Sequence, residues 1–385
     1  MEKLGKYINV RTGKLDANAA DENGEFPFFT CAVQPLSINT AAFDCECVLV
    51  AGNGDLNVKY YNGKFNAYQR TYIIESKDKK LLNNKFLYRF LEKSLRQLRS
   101  QTKGGVIQYL RLNDLTDLKL ILLPIQEQIN ISNILNRAEK LITQRKESIR
   151  LLDEYLKSTF FEIFGDPTLN NKGWRNLELK EFGKIITGNT PSRKDDENYS
   201  TKSIEWIKTD NIKSDKMFIS EAVEYLSKKG FSTARSVDSG ALLVACIAGS
   251  IESIGRAALT NRKVSFNQQI NAIQPFNDVS PLFLYTLFKI SKYYIQNQAT
   301  KGMKKILTKG EFEKIKMIKP PFDLQNQFAN IVEKTETLKV QYQSSLQELE
   351  NLYQSLSQKA FKGELNAKDE ELLMAAESRV EYNTK

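Results

Sequence analysis

The chain has 385 residues, more than a single hydrophobic core usually organises, so we expect at least two domains. Hydrophobic residues make up 41%, yet no apolar run reaches the roughly 18 residues of a membrane-spanning helix, and this disfavours any membrane association. Lysine and arginine (56) outnumber aspartate and glutamate (46), and the net charge of +10 suits a polyanion such as nucleic acid.

Side-chain usage disfavours metal binding and catalysis. The chain has no histidine, which is the commonest general base and metal ligand. Cys45 and Cys47 are too closely spaced for a typical zinc site, so we expect them, with Cys31 and Cys246, to be free thiols. The first residues lack an apolar secretory segment, and we therefore expect a cytoplasmic protein.

Residues 1–123 predict a mixed domain of strands followed by a helix. Strands are expected at residues 47–50, 58–61 and 70–74, which are rich in β-branched and aromatic side chains. Turns are expected at residues 52–55 and at Asn62-Gly63, because Asn-Gly is a strong hairpin signal. Residues 84–98 have the spacing of an amphipathic helix.

Residues 124–166 predict one long helix that starts at Pro124 and stops at Gly165. Arg145 and Thr159 fall on its apolar stripe and weaken it. The stripe itself is Ile131, Ile134, Ala138, Leu141, Ser148, Leu152, Tyr155 and Ile163.

Residues 174–319 predict a second mixed domain. Strands are expected at residues 204–207, 241–247 and 270–273, and a helix at residues 282–296.

Residues 320–363 predict a second long helix, and the polar residues 364–385 predict a frayed or disordered tail. The stripe of this helix is Phe328, Ile331, Thr335, Leu338, Tyr342, Ser345, Leu349, Leu352 and Leu356.

The second half of the chain repeats the first at a constant offset of 197 residues, as Pro124 and Pro321 show. The same offset relates Gly105 to Gly302 and Gln128 to Gln325. The predicted fold class is therefore α+β, with a pseudo-two-fold internal repeat. Two mixed globular domains would be separated by two long antiparallel coiled-coil helices, which bury apolar stripes that neither could bury alone.

Two polar motifs could contact DNA. Residues 185–194 form a basic loop whose hydroxyl, amide and cationic groups can bind phosphates or bases, although an ordinary turn fixed by Pro191 is equally compatible. Residues 65–70 and 266–270 place amides before a strand, where they either read adenine or cap the turn.

One motif superficially indicates catalysis. Residues 319–322 read Lys-Pro-Pro-Phe, which is close to the Asn-Pro-Pro-Phe loop of adenine methyltransferases. That chemistry needs a group that accepts a hydrogen bond from the target amine, and lysine only donates. We therefore reject a methyltransferase site and expect no catalytic residues.

The chain resembles the specificity subunit of type I restriction-modification systems, because these motifs occur in the same order within a tandem repeat. The resemblance rests on residues 187–192, 206–212 and 266–273, and on the two helix entries that combine proline with glutamine. In the first half it rests on residues 24–30 and 63–71; the Thr-Pro-Ser loop is missing there, and residues 11–14 stand in its place.

The resemblance implies a non-catalytic subunit that reads a bipartite, asymmetric site in double-stranded DNA, one domain for each half-site. The long helices would set the gap and dock two modification (methyltransferase) subunits, and restriction (motor-nuclease) subunits would join for cleavage. S-adenosylmethionine, Mg and ATP would be bound by those partners and not by this chain.

Candidate residues fall into two groups. The DNA-binding candidates are Arg11, Lys14, Lys59, Lys64, Asn66, Tyr68, Gln69, Arg70, Thr190, Ser192, Arg193, Lys194, Lys208, Asn211, Arg235, Arg256, Asn267, Gln268 and Gln269. The helix-pairing and subunit-interface candidates are Ile131, Ile134, Leu141, Ile149, Leu152, Phe328, Ile331, Leu338, Leu346, Leu349 and Leu356. Flank positions expected to remain open for partner helices are Ile142, Ile149, Val332 and Leu346.

A rival interpretation is a coiled-coil protein-interaction scaffold without specific DNA binding, in which the basic charge is incidental. A steep salt dependence of DNA affinity distinguishes the two, because phosphate contacts release counterions.

Overall fold

The structure is a computed structural model that describes residues 1–101, 109–299 and 305–382. The chain forms two compact units. Unit 1 comprises Met1–Ser148 and Tyr342–Lys385, and unit 2 comprises Ile149–Gln341. The repeated pair Gly105 and Gly302 lies outside the described residues.

In the described part of unit 1, six strands form one sheet in the order β2-β7-β5-β6-β3-β4, and β1 pairs separately with β8. The strands are β1 (Glu2–Lys3), β2 (Ile8–Thr12), β3 (Phe26–Phe29), β4 (Leu36–Ile38), β5 (Phe43–Ala51), β6 (Val58–Ala67), β7 (Thr71–Ser76) and β8 (Lys119–Leu120).

The central strands of this sheet are buried on both faces. Val48 and Ile74 belong to the main core of unit 1, whereas Cys47, Leu49 and Ile73 belong to a smaller core on the other face. Successive side chains thus point to opposite faces and both faces are covered, which is why this strand reads as a continuous apolar run in the sequence.

One of the two predicted turns in unit 1 is wrong. The turn at residues 52–55 is confirmed between β5 and β6, and Gly54 has a φ of +69° there. Asn62-Gly63, in contrast, lies inside β6, where Gly63 pairs with Cys45. Because β6 bonds to β5 along its length and to β3 at its end, pairing overrides the local turn preference, and glycine tolerates the φ of +138°.

The helices of unit 1 are α1 (Asn84–Gln101), α2 (Leu112–Thr116) and the first part of the long α3 (Ile125–Phe164). The side-chain oxygen of Asn83 caps α1 by accepting hydrogen bonds from the backbone N–H groups of Lys85 (2.9 Å) and Phe86 (3.1 Å). The apolar face of α1, which includes Phe86 and Leu91, is buried in the main core.

The strands of unit 2 are β9 (Asn176–Glu178), β10 (Gly183–Thr187), β11 (Ile204–Ile207), β12 (Tyr225–Leu226), β13 (Ser236–Val237), β14 (Leu242–Ala245), β15 (Ile247–Ala248), β16 (Ala257–Leu259), β17 (Val264–Phe266), β18 (Ile270–Pro275), β19 (Lys305–Ile306) and β20 (Lys316–Ile318). The helices are α4 (Lys228–Thr233), α5 (Pro281–Ile290), α6 (Lys292–Asn297), α7 (Lys309–Lys314) and the first part of the long α8 (Phe322–Ala360). The helix predicted at residues 282–296 is therefore divided at Ser291.

Unit 2 repeats the strand plan of unit 1. The sheet β10-β18-β14-β16 corresponds to β2-β7-β5-β6, and the run β12-β11-β17 corresponds to β4-β3-β6. The single strand β6 of unit 1 is thus represented in unit 2 by two strands, β16 and β17. In both units a short first strand pairs with the strand that leads to a long helix, β1 with β8 and β9 with β20. The predicted internal repeat is confirmed.

The two long helices are antiparallel within each unit. In unit 1 the first part of α3 packs against the last part of α8, where Lys146 Nζ lies 2.9 Å from Glu350 Oε1. In unit 2 the last part of α3 meets the first part of α8, and the rings of Phe160 and Phe328 lie 5.5 Å apart. Gly165 ends α3 with a φ of +74°. The predicted α+β fold with two long antiparallel helices is confirmed.

One stripe position and one flank position of the long helices were wrongly assigned from helical spacing. Tyr155 is 51% exposed, because the buried stripe of this part of α3 runs in steps of four through Leu156, Phe160 and Phe164. Val332, expected on an open flank, is buried in the core of unit 2. Helical spacing alone does not show whether a buried stripe continues three or four residues further on. The side chains that pack against each helix decide this.

The C-terminal segment is a helix, α9 (Ala367–Tyr382), and not the disordered tail predicted for residues 364–385. Asn366 and Asp369 form a reciprocal cap, in which each side chain accepts a hydrogen bond from the other's backbone N–H (3.3 and 3.2 Å). Leu373 and Val380 are buried in the main core of unit 1. The prediction failed because it gave weight to the many charged residues and not to these two apolar side chains or to the capping pair.

Candidate nucleic-acid interface

The basic loop of unit 2 follows β10 and is held against the turn before β18. The N–H groups of Gly188 and Asn189 donate to the carbonyls of Ile270 (3.1 Å) and Phe266 (3.0 Å). A Cβ at position 188 would lie 2.2 Å from the carbonyl oxygen of Asn267, so this close approach requires glycine. The two polar motifs predicted from the sequence, residues 185–194 and 266–270, therefore lie together.

Asn189 fixes a third segment to this loop. Its amide donates to the carbonyl of Thr233 (2.9 Å) and accepts from the N–H of Arg235 (2.7 Å). The Arg235 guanidinium donates to the carbonyl of Thr187 (2.8 Å), which holds this cation beside the loop. The indole N–H of Trp206 donates to the Asn189 carbonyl (3.2 Å).

The cations of the loop surround one carboxylate. The Arg193 guanidinium lies 4.3 Å from the ring centre of Tyr199 and 4.9 Å from that of Trp206, and it forms an ion pair with Glu224. Lys208 forms an ion pair with the same carboxylate. Burial opposes ionisation of Glu224, but hydrogen bonds from Lys208 and Arg193 outweigh it and hold the pKa of that carboxyl below its usual value.

Several polar side chains at this place have groups available to a ligand. Thr190 is hydrogen-bonded to the side chain of Gln268, and the exposed amide of Gln268 keeps its N–H donors. Ser192 and Lys194 are exposed on the same loop. We call the set of Thr190, Ser192, Arg193, Lys194, Lys208, Arg235 and Gln268 the unit 2 cluster.

Three candidate amides serve the fold and not the surface. Asn211 is buried and bonds to Ser220, to the Glu221 carbonyl and to the backbone N–H of Lys208. Asn267 is buried, and its side chain bonds to Gln269.

In unit 1, Asn66 is likewise buried, with its amide N–H on the Thr40 carbonyl (3.1 Å) and its oxygen on the Ala67 N–H (2.9 Å). The polar groups of these three amides are already paired within the fold. Base reading by them stays a prediction, and their observed role is structural.

Gln269 and Arg256 also lie apart from the exposed set. The Gln269 carbonyl oxygen accepts from the Asn267 amide (2.9 Å), so this side chain braces the turn. Arg256 follows the turn at Gly255, before β16, and its Nε is buried without a hydrogen-bond partner among the described residues.

Unit 1 builds a similar junction with different side chains. A Cβ at Gly13 would lie 1.9 Å from the carbonyl oxygen of Ala67, so Gly13 takes the place that Gly188 takes in unit 2. Leu15 accepts a hydrogen bond from the N–H of Gln69 (2.9 Å), which brings Lys14 towards residues 68–70. The candidates placed together here are Lys14, Tyr68, Gln69 and Arg70, with the Arg70 guanidinium 5.6 Å from the ring centre of Tyr109.

The remaining unit 1 candidates lie elsewhere on the sheet. Arg11 is paired with Glu75 and lies 5.2 Å from the ring centre of Phe43. Lys64 is exposed on β6 opposite Asp44. Lys59 is near the start of β6, where burial lowers the pKa of its ammonium group.

The helix candidates divide by burial. The side chains buried within their units are Ile131, Ile134, Leu141, Phe328, Leu349 and Leu356. The side chains only partly buried are Ile149, Leu152, Ile331, Leu338 and Leu346. The first set stabilises the units, and the second leaves some apolar surface accessible to solvent.

The sequence analysis did not identify four residues of the unit 2 junction as candidates: Asn189, Tyr199, Trp206 and Glu224. Asn189 lay within a recognised motif, so its type and position were a usable signal. The pairing of Glu224 with two cations depends on strand neighbours far apart in sequence and carries no local signal. Over the described residues, no group of three or more acidic or cysteine side chains is placed to hold a metal ion. No described helix is both long and apolar enough to cross a membrane.

Comparison with known proteins identifies a single family. The family model for the type I restriction modification DNA specificity domain matches residues 2–151 and 171–351. The EcoDI type I restriction enzyme specificity subunit of Escherichia coli is 28% identical over 407 residues, covering 95% of this chain and 88% of that protein. The HindI specificity subunit of Haemophilus influenzae is 30% identical over 173 residues, covering 43% of this chain and 36% of that protein.

Solved structures show the same fold. The type I restriction-modification S subunit of M. genitalium superposes with a TM-score of 0.61 at 16% identity, covering 94% of this chain and 95% of that one. A chain from a study of complex assembly and conformational transition of the type I restriction-modification system gives a TM-score of 0.54 at 17% identity, covering 94% and 97%.

Proposed function

This chain belongs to the type I restriction-modification DNA specificity family, and on that premise we propose how it selects its DNA target. Its role is DNA sequence recognition. Each unit reads one half of a bipartite, asymmetric site. In unit 1 the reading surface is where the loop after β2 meets the turn before β7. In unit 2 it is where the loop after β10 meets the turn before β18.

The observation that carries this proposal is the unit 2 cluster. Cations on aromatic rings, hydroxyl groups and an exposed amide meet on a loop whose backbone is fixed by hydrogen bonds. Arg193 and Lys208 share the Glu224 carboxylate, which holds both cations in position before a ligand arrives. A DNA phosphate offers the same anionic oxygens and can take over one of these pairs, while Gln268 can form paired hydrogen bonds with an adenine edge.

The two half-sites should differ. At the equivalent junction unit 1 presents Lys14, Tyr68, Gln69 and Arg70, and unit 2 presents Thr190, Arg193 and Gln268. Arginine prefers guanine and glutamine prefers adenine in the major groove, so unlike side chains imply unlike bases.

Catalysis is assigned to partner subunits. We propose that the chain itself is non-catalytic; the relatives that it matches are named specificity subunits. Two methyltransferase subunits would dock on the long helices, at partly buried apolar side chains such as Leu152 and Leu346, and motor-nuclease subunits would join for cleavage. S-adenosylmethionine, Mg and ATP would be bound by those partners, and the complex would act on cytoplasmic DNA.

Mapping methylated adenines in cells that carry the intact system tests base reading. The Gln268→Ala variant should relax the methylated motif at one position of one half-site, since a bidentate base contact is worth about 1–3 kcal/mol of discrimination. Lys180→Ala is the matched control, because Lys180 precedes the opposite end of β10 and pairs with Glu178. An unchanged motif in the Gln268 variant would remove this residue from base reading, and a motif that is not bipartite would refute the proposed function.

A further inference from the structure

One glutamine is buried close to the start of each long helix. Gln128 of α3 and Gln325 of α8 both have 0% exposure. A buried side-chain amide destabilises a fold unless its donors and acceptor are paired. The partners of these two amides therefore show what each of them holds together.

In unit 1 the Gln128 amide joins three backbone groups. Its oxygen accepts a hydrogen bond from the N–H of Asn83 (2.9 Å), and its nitrogen donates to the carbonyls of Leu81 (2.8 Å) and Leu123 (2.8 Å). Leu81 and Asn83 belong to the turn between β7 and α1, and the apolar face of α1 is buried in the main core of unit 1. The start of α3 is thus fixed to the turn before α1 by both donors and the acceptor of one amide.

In unit 2 the Gln325 amide forms the same three hydrogen bonds. Its oxygen accepts from the N–H of Ser280 (3.0 Å), and its nitrogen donates to the carbonyls of Asp278 (3.4 Å) and Pro320 (2.8 Å). Asp278 and Ser280 belong to the turn between β18 and α5, the counterpart of the turn between β7 and α1. Each partner lies 197 residues after its counterpart in unit 1. We call each set of three hydrogen bonds the glutamine joint of its unit.

The repeat retains the glutamine but not the residues that it binds. At the three partner positions unit 1 has Leu81, Asn83 and Leu123, and unit 2 has Asp278, Ser280 and Pro320. Because the glutamine binds only backbone groups, the joint does not depend on the side chains at these positions. It can therefore hold domains of unlike sequence at the same place on a long helix.

We propose that Gln128 and Gln325 are positioning residues that fix the spacer of the DNA site, which is the number of base pairs between its two half-sites. The inference rests on the proposed function, in which each unit reads one half-site. Successive base pairs are about 3.4 Å apart along the DNA and rotated by about 35°. A unit that rejects a spacer one base pair too long must hold its reading surface to a smaller movement than this. The planar amide opposes such movement, because its three hydrogen bonds tie the turn before α1 or α5 to the start of the long helix.

A purely structural role of the two glutamines predicts a different result. If they only satisfied buried backbone groups, their replacement would destabilise a unit and reduce methylation at all spacers alike. Replacement of a positioning residue should instead change the accepted spacer and leave the bases of each half-site unchanged. The unit 2 cluster and the unit 1 junction are built from other segments of the chain, so base reading does not pass through the glutamine joints.

Methylation by the complete complex, on duplexes whose spacer is native or one base pair longer or shorter, tests the proposal. The measured quantity is the ratio of the methylation rates on native and altered spacers. Gln128→Met and Gln325→Met nearly retain the side-chain volume and remove all three hydrogen bonds. Each should lower this ratio about tenfold or more, since a single hydrogen bond is worth a factor of roughly 2 to 12 in an equilibrium. The map of methylated adenines should then contain added sites that have an altered spacer and unchanged half-site bases.

Gln126→Met and Gln327→Met are the matched controls. Each side chain lies two residues from the joint on the same helix and is exposed, so the ratio should not change. If calorimetry shows that a methionine variant does not fold, the asparagine variant at that position is measured in its place. Asparagine keeps an amide at the joint but is one methylene too short to reach all three backbone groups.

Three results would overturn the inference. The folded variants could methylate native and altered spacers in the same ratio as the unaltered chain, they could change the half-site bases but not the spacer, or the controls could lower the ratio equally. A motif that is not bipartite for the unaltered chain would instead refute the proposed function, so the two failures are distinguishable.

Discussion

Replacing Arg145 by methionine should stabilise unit 1. Arg145 lies in α3 and is fully buried, with 0% exposure. Among the described residues its Nε, Nη1 and Nη2 atoms have no hydrogen-bond partner. Its guanidinium stacks on the ring of Tyr342 on α8, whose centre is 4.2 Å from the guanidinium carbon.

The magnitude follows from two opposing terms. A desolvated cation–π contact contributes about 2 kcal/mol to stability. Each unsatisfied buried donor costs about 1–3 kcal/mol, and more when it is charged. With all three nitrogens unpaired the cost exceeds the gain, so methionine, which keeps the apolar volume, should raise the free energy of unfolding by about 1–4 kcal/mol.

Scanning calorimetry of the full chain measures this effect. The transition of unit 1 should rise by roughly 2–4 °C for each kcal/mol, as expected for a unit of this size. Lys146→Met is the control, because it removes an exposed ion pair with Glu350 and should change stability by less than about 1 kcal/mol. A lower melting temperature for Arg145→Met would show that the stack on Tyr342 outweighs the unpaired donors, and the reasoning would be wrong.

Three further outcomes are expected. Glu224→Gln should tighten DNA binding and make its salt dependence steeper, since Arg193 and Lys208 lose the carboxylate that neutralises them. The control Glu178→Gln, which removes the partner of Lys180, should change neither property. If the affinity of the Glu224 variant had the same salt dependence as that of the unaltered chain, Arg193 and Lys208 would not contact phosphates. Replacing residues 1–123 by another recognition domain should change one half of the methylated motif, and a change in both halves or in neither would contradict modular reading. A hydrogen bond from Arg262 lowers the pKa of Glu205 below its usual value, so its stabilising effect is present above the usual carboxyl pKa and is lost as pH falls through the folded-state pKa. Urea unfolding of Glu205→Gln should therefore vary less with pH below about 4.5 than that of the unaltered chain, and parallel curves would refute the assignment.

The parts of the fold that could be predicted are those with a local period. Both long helices and the central strands follow from apolar spacing, and the repeat follows from a constant offset. Gly63 could not be placed, because β6 continues through an Asn-Gly pair only when its neighbours are present. The helix α9 was missed because few of its side chains are apolar, and the burial of Leu373 and Val380 depends on the rest of the unit 1 core.

The candidate site was predictable in its segments and less so in its residues. The basic loop and the amide-containing turn were identified, because residue types near strand ends carry a signal. Whether an amide faces solvent or the backbone is decided by tertiary contacts, which is why the burial of Asn66, Asn211 and Asn267 could not be predicted from the sequence. Glu224 was missed for the same reason, since its two cations come from other segments.

Arg145 and Tyr342 are equivalent positions of the repeat, 197 residues apart, and they contact each other. In an antiparallel pair of repeated helices, only the residues at the centre of the pairing meet their own equivalents. If α3 paired with α3 of a second molecule, two buried guanidinium groups would meet there, and the pairing would be opposed by like charge. An arginine facing a tyrosine therefore favours pairing of α3 with α8, at the cost in stability argued above. In the Arg145→Met variant this charge repulsion between two α3 helices is absent, so sedimentation velocity should detect self-association of the variant but not of the unaltered chain. Identical sedimentation profiles would mean that Arg145 has no role in pairing specificity.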